Sequence, residues 1–192
     1  MLSRAYRNRG MEELTSLWQT WEQNFVRLEE SHTSLAPLIF FRSARPRHSW
    51  VTASGAVLDA AALQDAVLDM ERDFHGVTCI RAGYLALRGI ADFFGYPHNP
   101  HPKADDPISI SREEFEEAVE QLRAEGLPVV DDIEEAWRNF RGWRVNYDDV
   151  LLMLARMIMA PYAPWSSDRS SPVMSKWLAS NKKHKKFDDI GM

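Results

Sequence analysis

The chain has 192 residues, a formal net charge of -5 and a single cysteine, Cys79. This length fits one domain with a core large enough to need no metal or disulfide staple. Because the charge balance is acidic, it provides no general attraction to nucleic acid, and we expect no nucleic-acid partner. A lone cysteine cannot form an internal disulfide and is typical of a reducing compartment.

The sequence lacks the marks of a membrane or secreted protein. The longest apolar run, residues 150–160, is interrupted by Arg156 and ends at Pro161. It falls short of the roughly 18 residues that a membrane span requires. The first ten residues are basic, but no apolar segment of a secretory signal follows them. We therefore expect a cytoplasmic protein.

The first predicted helix spans residues 11–30. Its apolar side chains recur at steps of four and three, which places them on one stripe: Leu14, Trp18, Trp21, Phe25 and Leu28. We expect this helix to be the self-association element, with Trp18 and Trp21 at its centre. The alternative is that both tryptophans belong to the core, where aromatic side chains at helical spacing are more often found.

Residues 31–47 interrupt the helical period with two prolines and an apolar knot, in which residues 38–41 carry a weak strand signal. An alanine-rich helix is predicted for residues 50–69 and another helix for residues 76–94. The second of these contains Gly83 and Gly89, which cost about 1 kcal/mol each relative to alanine. Close packing of a neighbouring helix explains why they are tolerated.

The second half of the chain begins with a proline-rich loop over residues 96–110. Ser111 with Glu114, and Asp131 with Glu134, form two capping boxes that open helices. The second helix continues as a long apolar pattern to Ile158, with Arg144 where an apolar residue is due. We expect a kink or a break near Asn146.

These elements predict an all-α fold, a bundle of five to six helices. A basic segment, residues 1–10, precedes the bundle, which spans residues 11–165. Residues 166–192 are polar and charged, and we expect them to form a largely disordered tail. The tail carries a basic cluster, residues 182–186, and the segment 103–135 is strongly acidic. Both features are typical of solvated surfaces, although each could meet an oppositely charged partner.

Asp59 is the candidate centre of a structural polar network. It lies in an otherwise uncharged run, GAVLDAAAL, and a buried carboxylate needs a partner. We expect a partly buried ion pair with one of three arginines that orients two helices: Arg42, Arg81 or Arg88. His32, at the end of the first helix, is expected in a hydrogen-bond network at that helix terminus.

No motif for catalysis, for a cofactor or for a metal is recognised. His98 and His101 could share an ion, but we expect them to be solvated loop histidines. An enzyme built around His32, Arg42 and Asp59 is the least favoured alternative.

Four stretches together resemble a known protein family: WEQNFVRLEESHTSLAPLIFFRS (21–43), SWVTASGAVLDAAAL (49–63), CIRAGYLALRGIADFFG (79–95) and WRNFRGWRVNYDDVLLMLARMIMAPYAPWSSDR (137–169). They are similar to the cytosolic C-terminal domain of bacterial potassium-channel-family proteins, which follows a small pore module with paired membrane helices. The sequence lacks the potassium selectivity signature, so the resemblance implies no conduction by this chain alone.

The resemblance implies a non-catalytic regulatory or assembly domain that acts through contacts with a protein partner or with a second copy. It would reach the membrane only through a pore module encoded upstream. The alternative is a freestanding helical interaction protein.

Overall fold

The fold follows from seven α-helices in the part of the chain that the computed structural model describes, residues 1–8, 10–40 and 49–169. They are α1 (Leu2–Arg7), α2 (Met11–Ser34), α3 (Trp50–Val67), α4 (Phe74–Phe93), α5 (Arg112–Ala124), α6 (Ile133–Arg144) and α7 (Asp148–Met157). The prediction of an all-α bundle is confirmed. No helix within the described ranges is long and apolar enough to cross a membrane.

Local sequence signals account for most helix ends. Ser111 and Glu114 form the predicted capping box of α5. At α6 the prediction was off by one residue, because Asp132 rather than Asp131 caps the helix, accepting from the backbone N–H of Glu135 at 2.8 Å. The long apolar pattern breaks between Arg144 and Asp148, where we expected a kink or break.

The apolar knot after α2 is helical. A 3₁₀ helix spans Ala36–Phe40, so the weak strand signal over residues 38–41 was misleading for the described positions. Ile39 is fully buried there, and a short apolar run of this kind has no period that separates helix from strand. A single antiparallel bridge, Leu68 with Val129, is the sole β-pairing between described residues.

Helices α2 and α4 lie side by side and run in the same direction. The Thr15 hydroxyl donates to Asp73 at 2.8 Å near their starts, and Glu29 lies against Gly89 near their ends. Helix α3 runs the opposite way, since His32 at the end of α2 packs on Trp50 at its start. These three helices enclose much of the core, and α6 and α7 pack against α3.

Gly83 allows this close approach. A Cβ built on it would lie 2.5 Å from Leu58 Cδ2 and 2.8 Å from Phe25 Cε2. A Cβ on Gly89 would collide with the Glu29 side chain. Close helix packing therefore explains Gly83, as predicted, whereas the atoms over Gly89 are the far end of the flexible Glu29 side chain.

Replacing Gly83 with alanine tests this packing. We expect Gly83→Ala to lower the free energy of unfolding by about 1–3 kcal/mol, because the added methyl group overpacks the junction of three helices. Gly142→Ala is the matched control, since its nearest neighbour would be 3.8 Å away at Ala104. That variant should gain up to about 1 kcal/mol from helix propensity. Urea denaturation followed by circular dichroism measures both, and a Gly83→Ala protein as stable as the wild type would refute the argument.

Candidate functional site

A single guanidinium, that of Arg144, lies at the centre of the fold with none of its surface exposed. It stands at the last residue of α6, where the helical pattern called for an apolar side chain. Its Nη1 donates to Asp59 Oδ1 of α3 at 2.6 Å, and its Nε donates to Asp148 Oδ1 of α7 at 2.7 Å. Its Nη2 donates to the backbone carbonyl of Trp165 at 2.6 Å. One side chain thus joins three helices and the segment that follows them.

The two carboxylates of this buried network have further partners. The Tyr147 hydroxyl donates to Asp59 Oδ1 at 2.9 Å. Asp148 accepts from the backbone N–H and from the hydroxyl of Ser109, each at 2.7 Å. Ser109 belongs to the loop before α5, so the network reaches a further part of the chain. Buried charges are retained at acceptable cost only when they are hydrogen-bonded in this way.

The network holds one cation against two carboxylates. Burial raises the pKa of Asp59, and the Arg144 guanidinium opposes that rise. Burial alone would lower the pKa of Arg144, but the neighbouring carboxylates of Asp59 and Asp148 raise it, so this side chain stays charged. Burial also raises the pKa of the Tyr147 hydroxyl.

The segment 161–169, which we call the strap, crosses from the end of α7 to the start of α5. Trp165 packs on Phe140 with ring centroids 5.7 Å apart and adopts a left-handed backbone with a φ of 59°. That conformation is unfavourable for a bulky residue, and the Arg144 bond and the ring contact hold it in place. Arg169 then donates to Glu114 Oε1 at 2.8 Å and to the Ser109 carbonyl at 3.0 Å.

The strap includes residues 166–169, which we had assigned to the polar tail. Ser166 is buried, and Arg169 makes the contacts just described. The low apolar content of residues 166–169 indicated disorder, but polar side chains hold this stretch in place. The remaining residues of the predicted disordered tail, 170–192, and its basic cluster lie outside the described part of the chain.

A cleft of about 570 Å³ lies between α3, the α3–α4 connection and α6. Asp65 lies on its wall and accepts from Trp143 Nε1 and from Arg72 Nε, each at 2.8 Å. Its rim carries exposed charged side chains, among them Glu71 and Arg138. Within the described ranges, no group of three or more His, Cys, Asp or Glu side chains could hold a metal ion.

The expectation of an Asp59–arginine pair that orients two helices was right in kind, but its partner is Arg144. Arg81 is exposed on α4. Arg88 donates instead to the backbone carbonyl of Asn146 at 2.9 Å and to Asn146 Oδ1 at 3.1 Å. Burial lowers the pKa of Arg88. The third candidate, Arg42, lies outside the described residues.

His32 takes part in the expected network at the helix end. Its Nδ1 lies 2.8 Å from the carbonyl of Leu28, one turn earlier, and its ring packs on Trp50 with centroids 4.6 Å apart. Asp59 lies nine residues beyond Trp50, or about 13 Å along α3. The structure therefore does not bring His32 and Asp59 together into one site.

Trp18 is fully buried, and its Nε1 donates to Gln64 at 3.2 Å. Placing it at the centre of a self-association surface was wrong, because no partner can reach it. Trp21 is half-buried and packs on Phe25 with ring centroids 5.4 Å apart. The alternative, that these tryptophans serve the core, is the better account.

Two smaller expectations have different outcomes. His101 is exposed, as expected, but the His98 side chain is only 7% exposed and its Nε2 lies 2.9 Å from Asp92 Oδ1. Proline-rich loops look solvated in sequence, yet this one folds back against α4.

Cys79 is a core thiol whose pKa burial raises to about 12.

Comparison with protein-family models, with curated proteins and with solved structures finds no match to this chain.

We expect Arg144→Met to lower the free energy of unfolding by about 3–5 kcal/mol, because it leaves two buried carboxylates without their cation. Asp59→Asn should cost about 1–2 kcal/mol, since it removes one of the two negative charges and keeps the Asp148 pair. Arg138→Met, on an exposed position of the same helix, is the matched control and should change stability by less than about 0.5 kcal/mol. Chemical denaturation measures all three, and equal costs for Arg144→Met and Arg138→Met would contradict the assignment.

The same variants give a pH signature. Because the folded protein raises the pKa of Asp59 above its usual 3.8, it binds that proton more tightly than the unfolded chain does. The stabilisation linked to Asp59 is therefore full below the unfolded pKa and is lost as pH rises through the folded value. The free energy of unfolding of the wild type minus that of Asp59→Asn should therefore decrease as pH rises. An increase of this difference with pH would contradict the raised pKa of Asp59.

Arg169→Gln should release the strap without unfolding the bundle. We expect faster hydrogen exchange of backbone amides in residues 161–169, and little change in α2 and α4. The Arg169 guanidinium lowers the pKa of Glu114. The Arg169–Glu114 ion pair therefore contributes its full stabilisation at pH values above the usual pKa of Glu114, and that stabilisation is lost as pH falls through the lowered value. Arg123→Gln, which removes an exposed pair with Glu120, is the control. Unchanged exchange in the strap would show that Arg169 does not hold it.

Proposed function

We propose that this chain is a non-catalytic helical domain that acts through protein contacts, as a regulatory or assembly region joined to a bacterial potassium-channel pore module. The pore module would be supplied upstream or by a partner chain. A freestanding interaction protein is the alternative, and it differs in having no pore to act on. In both candidate functions the protein acts through its surface rather than through a catalytic site.

The observation that carries the proposal is the meeting of distant resemblance stretches in the buried network. Asp59 comes from the stretch 49–63, whereas Arg144 and the Trp165 carbonyl come from the stretch 137–169. Two of the four segments that carry the resemblance therefore depend on one another physically in this fold. That dependence supports reading these two as parts of one architecture rather than as separate coincidences.

The chemistry of the network supports a mechanical role. Its charged groups donate to and accept from one another, and they hold α3, α6, α7 and the strap in fixed relation. Such a network is costly to break in part, because each lost bond leaves a buried charge unsatisfied. A partner that moves the strap or α6 would thus move the helices together, and the displacement would reach an attached pore as strain.

The decisive experiment starts from the genomic DNA before Met1, translated in frame. We expect two apolar segments of about 20 residues that flank a pore loop. Absence of such segments from that frame and from adjoining genes would contradict the channel assignment and leave the freestanding alternative.

Potassium flux into liposomes then tests regulation. The joined chain is compared with the same chain lacking residues 11–169 and with the Arg144→Met variant. We expect both changes to alter the open fraction of the pore, and Gly142→Ala to leave it unchanged. Equal flux from all four proteins would show that the domain does not regulate the pore.

A further inference from the structure

The seam between α2 and α4 carries exposed apolar side chains that the fold does not use. Leu85 of α4 is 49% exposed, and Val26 on the adjoining edge of α2 is 58% exposed. Phe74 lies eleven residues before Leu85, which is three helical turns, and so shares its face of α4. Phe74 is 70% exposed. Phe93 is half-exposed near the other end of the same helix, eight residues after Leu85 and so about 80° further round it.

Two charged side chains beside Leu85 are unpaired within the described chain. Glu29 extends from α2 over Gly89 of α4, and its carboxylate has no hydrogen-bond or ion-pair partner among the described residues. Partial burial raises its pKa. Arg81 is exposed on α4 and likewise makes no ion pair with a described residue. The seam therefore has one acid and one base that make no ion pair with a described residue, beside Glu22, whose carboxylate accepts from the Thr78 hydroxyl at 3.1 Å.

The positions of these charges are symmetric about Leu85. Arg81 lies four residues before Leu85, and Gly89, under the Glu29 carboxylate, lies four residues after it. Each step is about 6 Å along the helix axis. A two-fold axis perpendicular to the surface at Leu85 would place the Arg81 end of one copy over the Gly89 end of the other. It would set Glu29 of one copy opposite Arg81 of the other, at both ends of the contact.

We propose that two copies of this chain pair through the α2–α4 seam, antiparallel, about a two-fold axis at Leu85. This inference rests on the proposed action through protein contacts and names its surface and partner. In the pair, Leu85 packs on its symmetry mate, Val26 flanks it, and Phe74 and Phe93 of opposite copies approach at the ends. An isologous contact requires self-complementary charge, and this seam provides it.

The charge pattern favours a second copy over an unrelated partner. A seam built for a basic or an acidic protein would carry charges of one sign. Here the acid and the base lie at equal distances on opposite sides of the central leucine. The expectation that α2 takes part in self-association is thus kept, with Val26 and Glu29 in place of the buried tryptophan.

Analytical ultracentrifugation of the full chain over a concentration series is the first test. We expect a monomer–dimer equilibrium in the wild type. Leu85→Glu should raise the dimer dissociation constant by about 100-fold, because it sets two like charges together at the axis. Tyr162→Glu, at an 80% exposed aromatic residue on the strap, should leave it unchanged. A wild-type monomer throughout, or a dimer indifferent to Leu85→Glu, would overturn the proposal.

Charge reversal tests the geometry. Glu29→Arg and Arg81→Glu should each raise the dissociation constant by about tenfold, and the double variant should return to within about threefold of the wild type. Arg27→Glu is the control, since Arg27 is exposed and lies about 100° further round α2 from Val26. Failure of the double variant to restore pairing would exclude this register.

Cross-linking locates the axis. Leu85→Cys should form a disulfide-linked dimer under mild oxidation, because a residue on a two-fold axis meets its own copy. The native Cys79 is fully buried and serves as the internal negative control. Tyr162→Cys should remain monomeric on a denaturing gel, and equal linkage of both variants would overturn the placement. None of these tests involves a pore, so their failure is distinct from failure of the flux experiment.

Discussion

Arg144 ties together parts of the chain that the apolar core alone would not fix. Its guanidinium bonds Asp59 of α3, Asp148 of α7 and the Trp165 carbonyl of the strap. Each of these groups would be an uncompensated buried charge or carbonyl without it. Apolar packing tolerates small sliding of one helix on another, whereas short bonds to a rigid, planar fork do not. Its bonds therefore fix α3, α6, α7 and the strap in addition to the apolar core that these helices share.

A second constraint acts on the other side of the bundle, where α2, α3 and α4 approach closely at Gly83. The absence of a Cβ there lets Phe25 and Leu58 fill the space, and hydrogen bonds from Thr15 to Asp73 and from Thr78 to Glu22 link α2 with α4. The two halves of the fold are thus held by different means, one by a buried ionic network and one chiefly by close packing. Helix α3 contributes to both, with Leu58 facing α4 and Asp59 facing Arg144.

The sequence predicted helices α2 to α7 well because their periodicity and capping residues are local signals, but it did not predict α1, which lies in the basic segment 1–10 and buries Leu2 in the core. It also indicated that Asp59 needs an arginine, since a lone charge in an alanine-rich run implies a partner. The identity of that partner depended on tertiary contact across 85 residues, which no local pattern reports. The sequence did contain an indication of the partner. Arg144 occupies an apolar position of its helix and Asp59 lies in an apolar run, and two opposite charges at buried positions are expected to pair. The strap was missed because its contacts are polar and its composition resembles that of a tail.

The contrast between the buried network and the α2–α4 seam bears on how such a domain could work. The charged groups inside the network form ion pairs with one another, whereas Glu29 and Arg81 on the seam are paired with no described residue. A partner gains binding energy from exposed apolar side chains and from polar groups that the fold leaves unpaired. Contact at the seam would act on α2 and α4 directly and would reach the network through α3, which packs on α4 and carries Asp59. In the proposed role, the shared helix α3 would carry a displacement at the seam to the buried network.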